Sequence, residues 1–260
     1  MANVSAFDTL LWVVFPYVAL ALFVLGHWWR YRYDQFGWTA RSSQMYEDRI
    51  LRVASPLFHF GILAVLVGHF MGLVIPKSFT NWLGISEGMY HFFAVYVGSV
   101  AGVAALVGLI LLLWRRISQK SLRLVTTRMD WLMYAMLAVV MSLGFFSTVF
   151  HSGLNHFDYR ENLSVWFRQV FYLQPDPALM AEVPFTFQMH AFLGFALLAI
   201  WPLTRLVHVF SMPLMYVFRP YIVYRSKDAA STVGRKAGWN TVKAHNEQWA
   251  QSAPHQDQLK

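Results

Sequence analysis

Five stretches of this chain stay apolar for roughly the 20 residues needed to cross the hydrocarbon core of a bilayer. They run over residues 7–29, 53–75, 90–114, 130–150 and 183–210. In lipid, every backbone N–H and C=O must be satisfied within the segment, so each stretch is expected to be an α-helix. The expected fold is an all-α integral membrane bundle of five transmembrane helices. Composition agrees: 57% of the 260 residues are hydrophobic and 13% are charged, against about 45–50% and about 25% in soluble domains. Disordered, collagen-like and coiled-coil architectures need polar or repetitive sequences and are excluded. Residues 1–225 read as the membrane domain, and 226–260 as a polar tail.

The positions of the basic residues set the topology. Of 21 lysines and arginines, 18 fall on one side of the five stretches, the exceptions being Lys77, Arg160 and Arg168. By the positive-inside rule the amino terminus lies outside and the tail is cytoplasmic. The net charge of +8 therefore reflects orientation rather than nucleic-acid binding. A cleaved signal peptide would begin with a basic segment, whereas the first charge here is Asp8, so the first stretch is expected to remain as a span. The expected location is a bacterial or archaeal cytoplasmic membrane.

The chain has no cysteine. Disulfides, thiolate metal sites, iron–sulfur clusters held by this chain and covalent c-type haem are all ruled out. Histidine is the remaining redox-cofactor ligand. Four of the ten histidines fall within two spans: His59 and His69 in the second, His190 and His208 in the fifth. An ionisable group inside a membrane is a functional candidate by default. The spans run in opposite directions, so the pairs sharing a depth are His69 with His190 and His59 with His208. Two opposed imidazoles at one depth suit a six-coordinate b-type haem, and two such pairs imply two haems stacked across the bilayer.

The spacings do not match on ideal helices. Ten residues rise about 15 Å and eighteen about 27 Å, and His59 and His69 project about 80° apart. A kink at Pro202, or tilt of helices and rings, would absorb the difference; a relaxed span end is the other reading of Pro202. Gly61, Gly68 and Gly72 flank the second-span histidines and Gly194 follows His190 by one turn. These glycines suit either haem clearance or ordinary helix packing.

Leu57-Phe-His-Phe-Gly-Ile-Leu-Ala-Val-Leu-Val-Gly-His-Phe-Met-Gly72 closely resembles the cytochrome b (gamma) subunit of respiratory nitrate reductase. So do Arg205-Leu-Val-His-Val-Phe-Ser-Met-Pro213 and Tyr31-Arg-Tyr-Asp-Gln-Phe-Gly-Trp-Thr-Ala-Arg-Ser-Ser-Gln44, and the resemblance covers about residues 10–225. It implies a membrane anchor that oxidises quinol (ubiquinol or menaquinol) near an outer haem. Electrons then pass through an inner haem to an iron–sulfur subunit and a molybdenum-containing catalytic subunit, which reduces nitrate. By the same resemblance His69 and His190 bind the outer haem b, and His59 and His208 the inner haem b.

The family's outer-loop lysine has no clear counterpart in Gly84-Ile-Ser-Glu-Gly-Met-Tyr-His91. His91 or Lys77 is therefore the expected group that orients or deprotonates quinol, with Gly68 and Gly72 admitting the ring; a polar residue at the membrane interface is the plainer reading of each. Arg49, Arg52, Arg116, Arg205 and Arg219 are candidates for pairing haem propionates, Arg205 first because it adjoins His208. His27, beside Trp28 and Trp29, reads as an interface anchor. His151 and His156 read as solvated loop residues, and 163–172 as an amphipathic surface helix or a lid. The tail, with Lys227, Arg235, Lys236, Lys243, Trp239 and Trp249, suits contact with cytoplasmic subunits or anionic lipid. Two other functions stay open at this point. One is a di-haem anchor of a sulfur-compound or heterodisulfide reductase; the other is a haem-free transporter or structural anchor.

Overall fold

The computed structural model describes residues 5–40, 43, 49–211 and 218. The tail 226–260 and Arg219 lie outside the described residues, as does most of 41–48. The chain divides into two units at Met212/Pro213, and the first carries all that follows.

Five helices are long and apolar enough to cross a membrane: α1 (Ala6–Tyr33), α2 (Arg49–Val74), α3 (Glu87–Ser118), α4 (Arg128–Leu154) and α5 (Phe185–Leu203). No strand occurs among the described residues. The all-α five-span expectation is thus met. The first four helices run a turn past the apolar stretches at one or both ends, because local caps continue them into the polar interface. Asp8 and Ser5 form a capping box on α1, and Thr127 and Asp130 form another on α4. Val24, Phe60 and Val100 are 61%, 75% and 72% exposed. Apolar side chains this open in the middle of long helices are at ease only in lipid.

The helices pack in the order α2, α3, α4, α5, α1. The α2–α3 contact is closest, since a Cβ at Gly61 would lie 2.6 Å from the Ala105 backbone nitrogen and one at Gly108 only 2.5 Å from that of Phe58. Small residues allow this approach where lipid gives helices no hydrophobic reason to associate. Gly108→Val is accordingly expected to force α2 and α3 apart and lower the thermal midpoint of the purified protein by several degrees, read by circular dichroism. By contrast, little backbone packing joins α2 to α5.

The fifth span departs from expectation. Its α-helix ends at Ile200, 3₁₀ turns follow at Trp201–Leu203, Thr204 is extended, and Arg205–Ser211 forms a separate 3₁₀ segment. Pro202 cannot donate to the helical ladder, so the helix gives way there. Arg30, which is buried, donates from Nη1 to the carbonyls of Pro202 and Thr204 and from Nη2 to that of Gly37. The carbonyls freed by the break thus find a charged donor inside the protein.

The helix Leu163–Phe171 turns one face into the protein. It buries Leu163, Trp166 and Val170 against the start of α1, where Trp166 Nε1 donates to the Trp12 carbonyl at 2.9 Å. Its Arg168 donates to the Leu73 carbonyl at the end of α2, at 3.0 Å. It is therefore a strap joining α1 to α2 across one end of the bundle. π-helical turns occur at that same end in each of the first four helices, at Leu10–Val14, Phe70–Val74, Phe93–Val97 and Ser147–Leu154. Such turns concentrate at functional sites.

Candidate functional site

The two histidine pairs meet across the space between α2 and α5. His69 Nε2 lies 3.5 Å from His190 Nε2, with the rings 34° from parallel. The rings of His59 and His208 are 6.3 Å apart and inclined at 75°. The break at Pro202 makes the second meeting geometrically available, because it detaches His208 from the helical register of His190.

In all four residues Nδ1 is engaged by a backbone carbonyl: Ser55 for His59 at 2.7 Å, Val65 for His69 at 2.8 Å, Val140 for His190 at 2.9 Å and Arg205 for His208 at 2.6 Å. A carbonyl only accepts, so each Nδ1 carries the proton and each Nε2 presents a lone pair. Two lone pairs face one another at the His69–His190 pair. A second proton there would create an imidazolium within the span, at high cost. A metal ion between them removes the conflict. Two metal–imidazole bonds of about 2 Å each would hold the nitrogens about 4 Å apart, close to what is seen.

Among the described residues no three His, Cys, Asp or Glu side chains converge on a point that would hold a bare ion. Two opposed imidazoles instead suit iron in a macrocycle that brings four nitrogens of its own. Space agrees with chemistry: a Cβ at Gly68 or Gly194 would meet nothing within 4 Å, whereas one at Gly144 on α4 would sit 2.6 Å from His190 Cε1. Gly144 is the small residue that lets the His190 ring lie against α4. The residues present fit b-type haem.

Arg205 is committed elsewhere than expected. Its guanidinium forks onto Asp130, Nε to Oδ1 at 2.7 Å and Nη2 to Oδ2 at 2.5 Å, and both residues are largely buried. The Arg205 carbonyl accepts from His208 Nδ1, so the Arg205–Asp130 pair also positions an imidazole. Arg116 donates to Thr126 and lies over the Tyr134 ring. His27, among Phe23, Trp38 and Phe210, donates to the Phe23 carbonyl.

The expected quinol-site residues fare unequally. Lys77 Nζ reaches Glu161 at 2.9 Å, Asp158 at 3.1 Å and Glu87 at 3.5 Å. Hydrogen bonds to Glu161 and then Asp158 push its pKa well above the usual lysine range, so Lys77 is no proton acceptor. A folded-state pKa raised in this way stabilises the protein below the unfolded value, about 10.4, and that stabilisation fades as pH rises through the folded value. The extra thermal stability of the wild type over Lys77→Met should be constant from about pH 6 to 9 and shrink above about pH 10. Thermal melts of the two proteins across that range check it.

Gly72 does not admit a ring either. A Cβ there would lie 2.6 Å from the Tyr159 hydroxyl, so the tyrosine already fills the place. Gly68 is open. The rings of His91 and His156 lie 5.3 Å apart, tilted by 34°, and both line a cavity of about 410 Å³ with Glu87, Tyr90, Ser152 and Tyr159. His156 is an exposed loop residue, as the sequence suggests, and also a wall of this cavity. Asp130, Gly144, Tyr159 and Arg30 acquire their roles only in three dimensions. Of these, Asp130 alone carried a signal, as a carboxylate opening an apolar span on the basic side.

Fold and site together define a multi-pass membrane protein with two intramembrane histidine pairs. The family model of the nitrate reductase gamma subunit matches residues 8–227. The chain is 44% identical over 218 residues to the nitrate reductase gamma chain of Bacillus subtilis (strain 168), covering 84% of this chain and 98% of that one. It is 35% identical over 218 residues to the respiratory nitrate reductase 1 gamma chain of Escherichia coli (strain K12), with 82% and 95% covered. It is also 52% identical over 233 residues to the nitrate reductase-like protein NarX of Mycobacterium tuberculosis (strain ATCC 25618 / H37Rv), covering 88% of this chain but only 36% of that longer protein. The chain belongs to the nitrate reductase gamma subunit family.

Proposed function

We propose that this chain is the quinol-oxidising, electron-carrying membrane subunit of a respiratory nitrate reductase, holding two haem b groups. His69 and His190 would hold an outer haem, and His59 and His208 an inner one. The amino terminus faces outward and the arginine-rich end faces the cytoplasm of a bacterial or archaeal cell, as the distribution of lysine and arginine supports. Partners on the cytoplasmic side are an iron–sulfur subunit and a molybdenum-containing catalytic subunit; this chain has no group of its own for reducing nitrate.

The observation that carries the reading is the paired presentation of Nε2 lone pairs, with each Nδ1 fixed by a carbonyl. A ring held this way has one tautomer and one orientation, as metal-bound histidines commonly do. When bound, the haems supply one-electron transfer at two depths. The residues around them hold the imidazoles, exclude water and leave the Gly68 side open. Quinol (ubiquinol or menaquinol) reacts near the outer pair, its protons leaving outward as its electrons move inward. The reaction thereby moves charge across the membrane, at about 2.3 kcal/mol per charge for each 100 mV.

A dithionite-reduced minus oxidised spectrum of the purified complex tests this. Split b-type bands with two midpoint potentials are expected; silence overturns it.

A further inference from the structure

The cavity between the π-wound ends of α3 and α4 and the 156–159 loop belongs to neither histidine pair. We propose that it is the proton outlet of quinol oxidation, in which His91 and His156 take protons from a tyrosine pair and release them to outer water. This rests on the function proposed above.

Tyr159 stands between the outer histidines and the cavity. Its ring lies against Gly72, three residues past His69, and 6.1 Å from that of Phe187, three residues before His190. Its hydroxyl is 3.1 Å from that of Tyr90. Burial above all, and then the neighbouring Tyr90, hold the Tyr159 phenol far above its ordinary pKa. It therefore stays neutral and passes protons as a hydroxyl, accepting one while donating its own.

Beyond the tyrosines, the rings of His91 and His156 lie 5.3 Å apart on the wall of the cavity, which has ample room for a chain of waters. Buried Ser152 Oγ from α4, without a hydrogen-bond partner, is a further hydroxyl for such a chain. The charged groups facing it are Glu87 from α3 and Asp158 from the loop. Lys77 neutralises part of their charge, and Arg160 stacks over the Tyr90 ring at 3.8 Å.

His156 sits at φ 54°, in the left-handed region that histidine enters more readily than most residues. This turn, just past the π-wound end of α4, places its imidazole beside that of His91.

The balance closes. One quinol gives a quinone, two electrons and two protons; the electrons would be taken by the one-electron carriers that the histidine pairs would hold. Each proton passes from a quinol hydroxyl through the Tyr159–Tyr90 hydroxyls to a ring nitrogen of His91, then His156, then water beside Glu87 and Asp158.

The test is a double variant, His91→Gln with His156→Asn, assembled in the full complex; asparagine tolerates the left-handed backbone. Haem reduction by a quinol analogue should slow about 10²-fold, the scale of a lost acid–base group. The dithionite-reduced spectrum and both midpoint potentials should stay as in the wild type, and added imidazole should restore part of the rate. A rate within about twofold of wild type, or a slow rate that imidazole leaves unrescued, overturns the outlet. Where the double variant does not assemble, Tyr159→Phe, which removes only the hydroxyl, is read by rate alone: a rate within about twofold of wild type overturns the outlet. A wild-type complex without b-type bands defeats the underlying function instead, so the two failures are distinguishable.

Discussion

His69→Ala should leave the protein with a single b-type component. On the proposed function, the variant would leave His190 Nε2 without the imidazole that faces it, and a haem held between the two would lose one of its holders. About half of the b-type absorbance should go, and quinol should no longer reduce the other half, because the inner pair is reached only through the outer one. His59→Ala should remove the complementary component while quinol still reduces the one that stays. Redox titration of the two variants side by side assigns each pair; loss of the same component in both would refute the pairing by depth.

Asp130→Ala is expected to have the second large effect. Asp130 caps α4 and holds the Arg205 fork in a largely buried place. Breaking a buried pair by removing one partner typically costs about 3–5 kcal/mol, because the other charge stays behind unpaired. The Arg205 carbonyl orients His208 through Nδ1, so the loss reaches the inner pair. Lower thermal stability and a displaced inner midpoint potential are expected, with the outer potential unchanged. Asp130→Glu, which keeps the charge, should recover part of both. Equal displacement of both potentials would show that the pair acts on the bundle as a whole and not on His208.

Much of the architecture was legible in the sequence because lipid imposes one simple rule. A segment long and apolar enough to cross is a helix, and four of the five spans appear where hydropathy puts them. The histidine pairs were legible for a related reason: opposite chain directions match residues by depth without knowledge of tertiary packing. The fifth span was not. Its apolar run continues to Phe210, yet the helix stops at Ile200, since hydropathy does not register what Pro202 removes from the ladder or that Arg30 can serve the freed carbonyls. Roles that depend on packing between distant segments were also hidden. Lys77 looked like a free base until Asp158 and Glu161 closed around it from 81 and 84 residues away. His156 is the exposed loop residue that the sequence suggests, but that α3 brings His91 beside it could not be read there.

The gap between α2 and α5 has a bearing on assembly. His59, Gly68 and His69 are exposed on a helix whose other open positions include Phe60, Leu66 and Val67. With apolar side chains around it, the slot they border would open to acyl chains if α2 crosses the bilayer as its length and composition allow. A porphyrin held by these histidines would then reach it sideways, from the lipid. Reconstitution from dissolved haemin should therefore depend on bilayer or micelle partitioning, with the aqueous concentration counting for little.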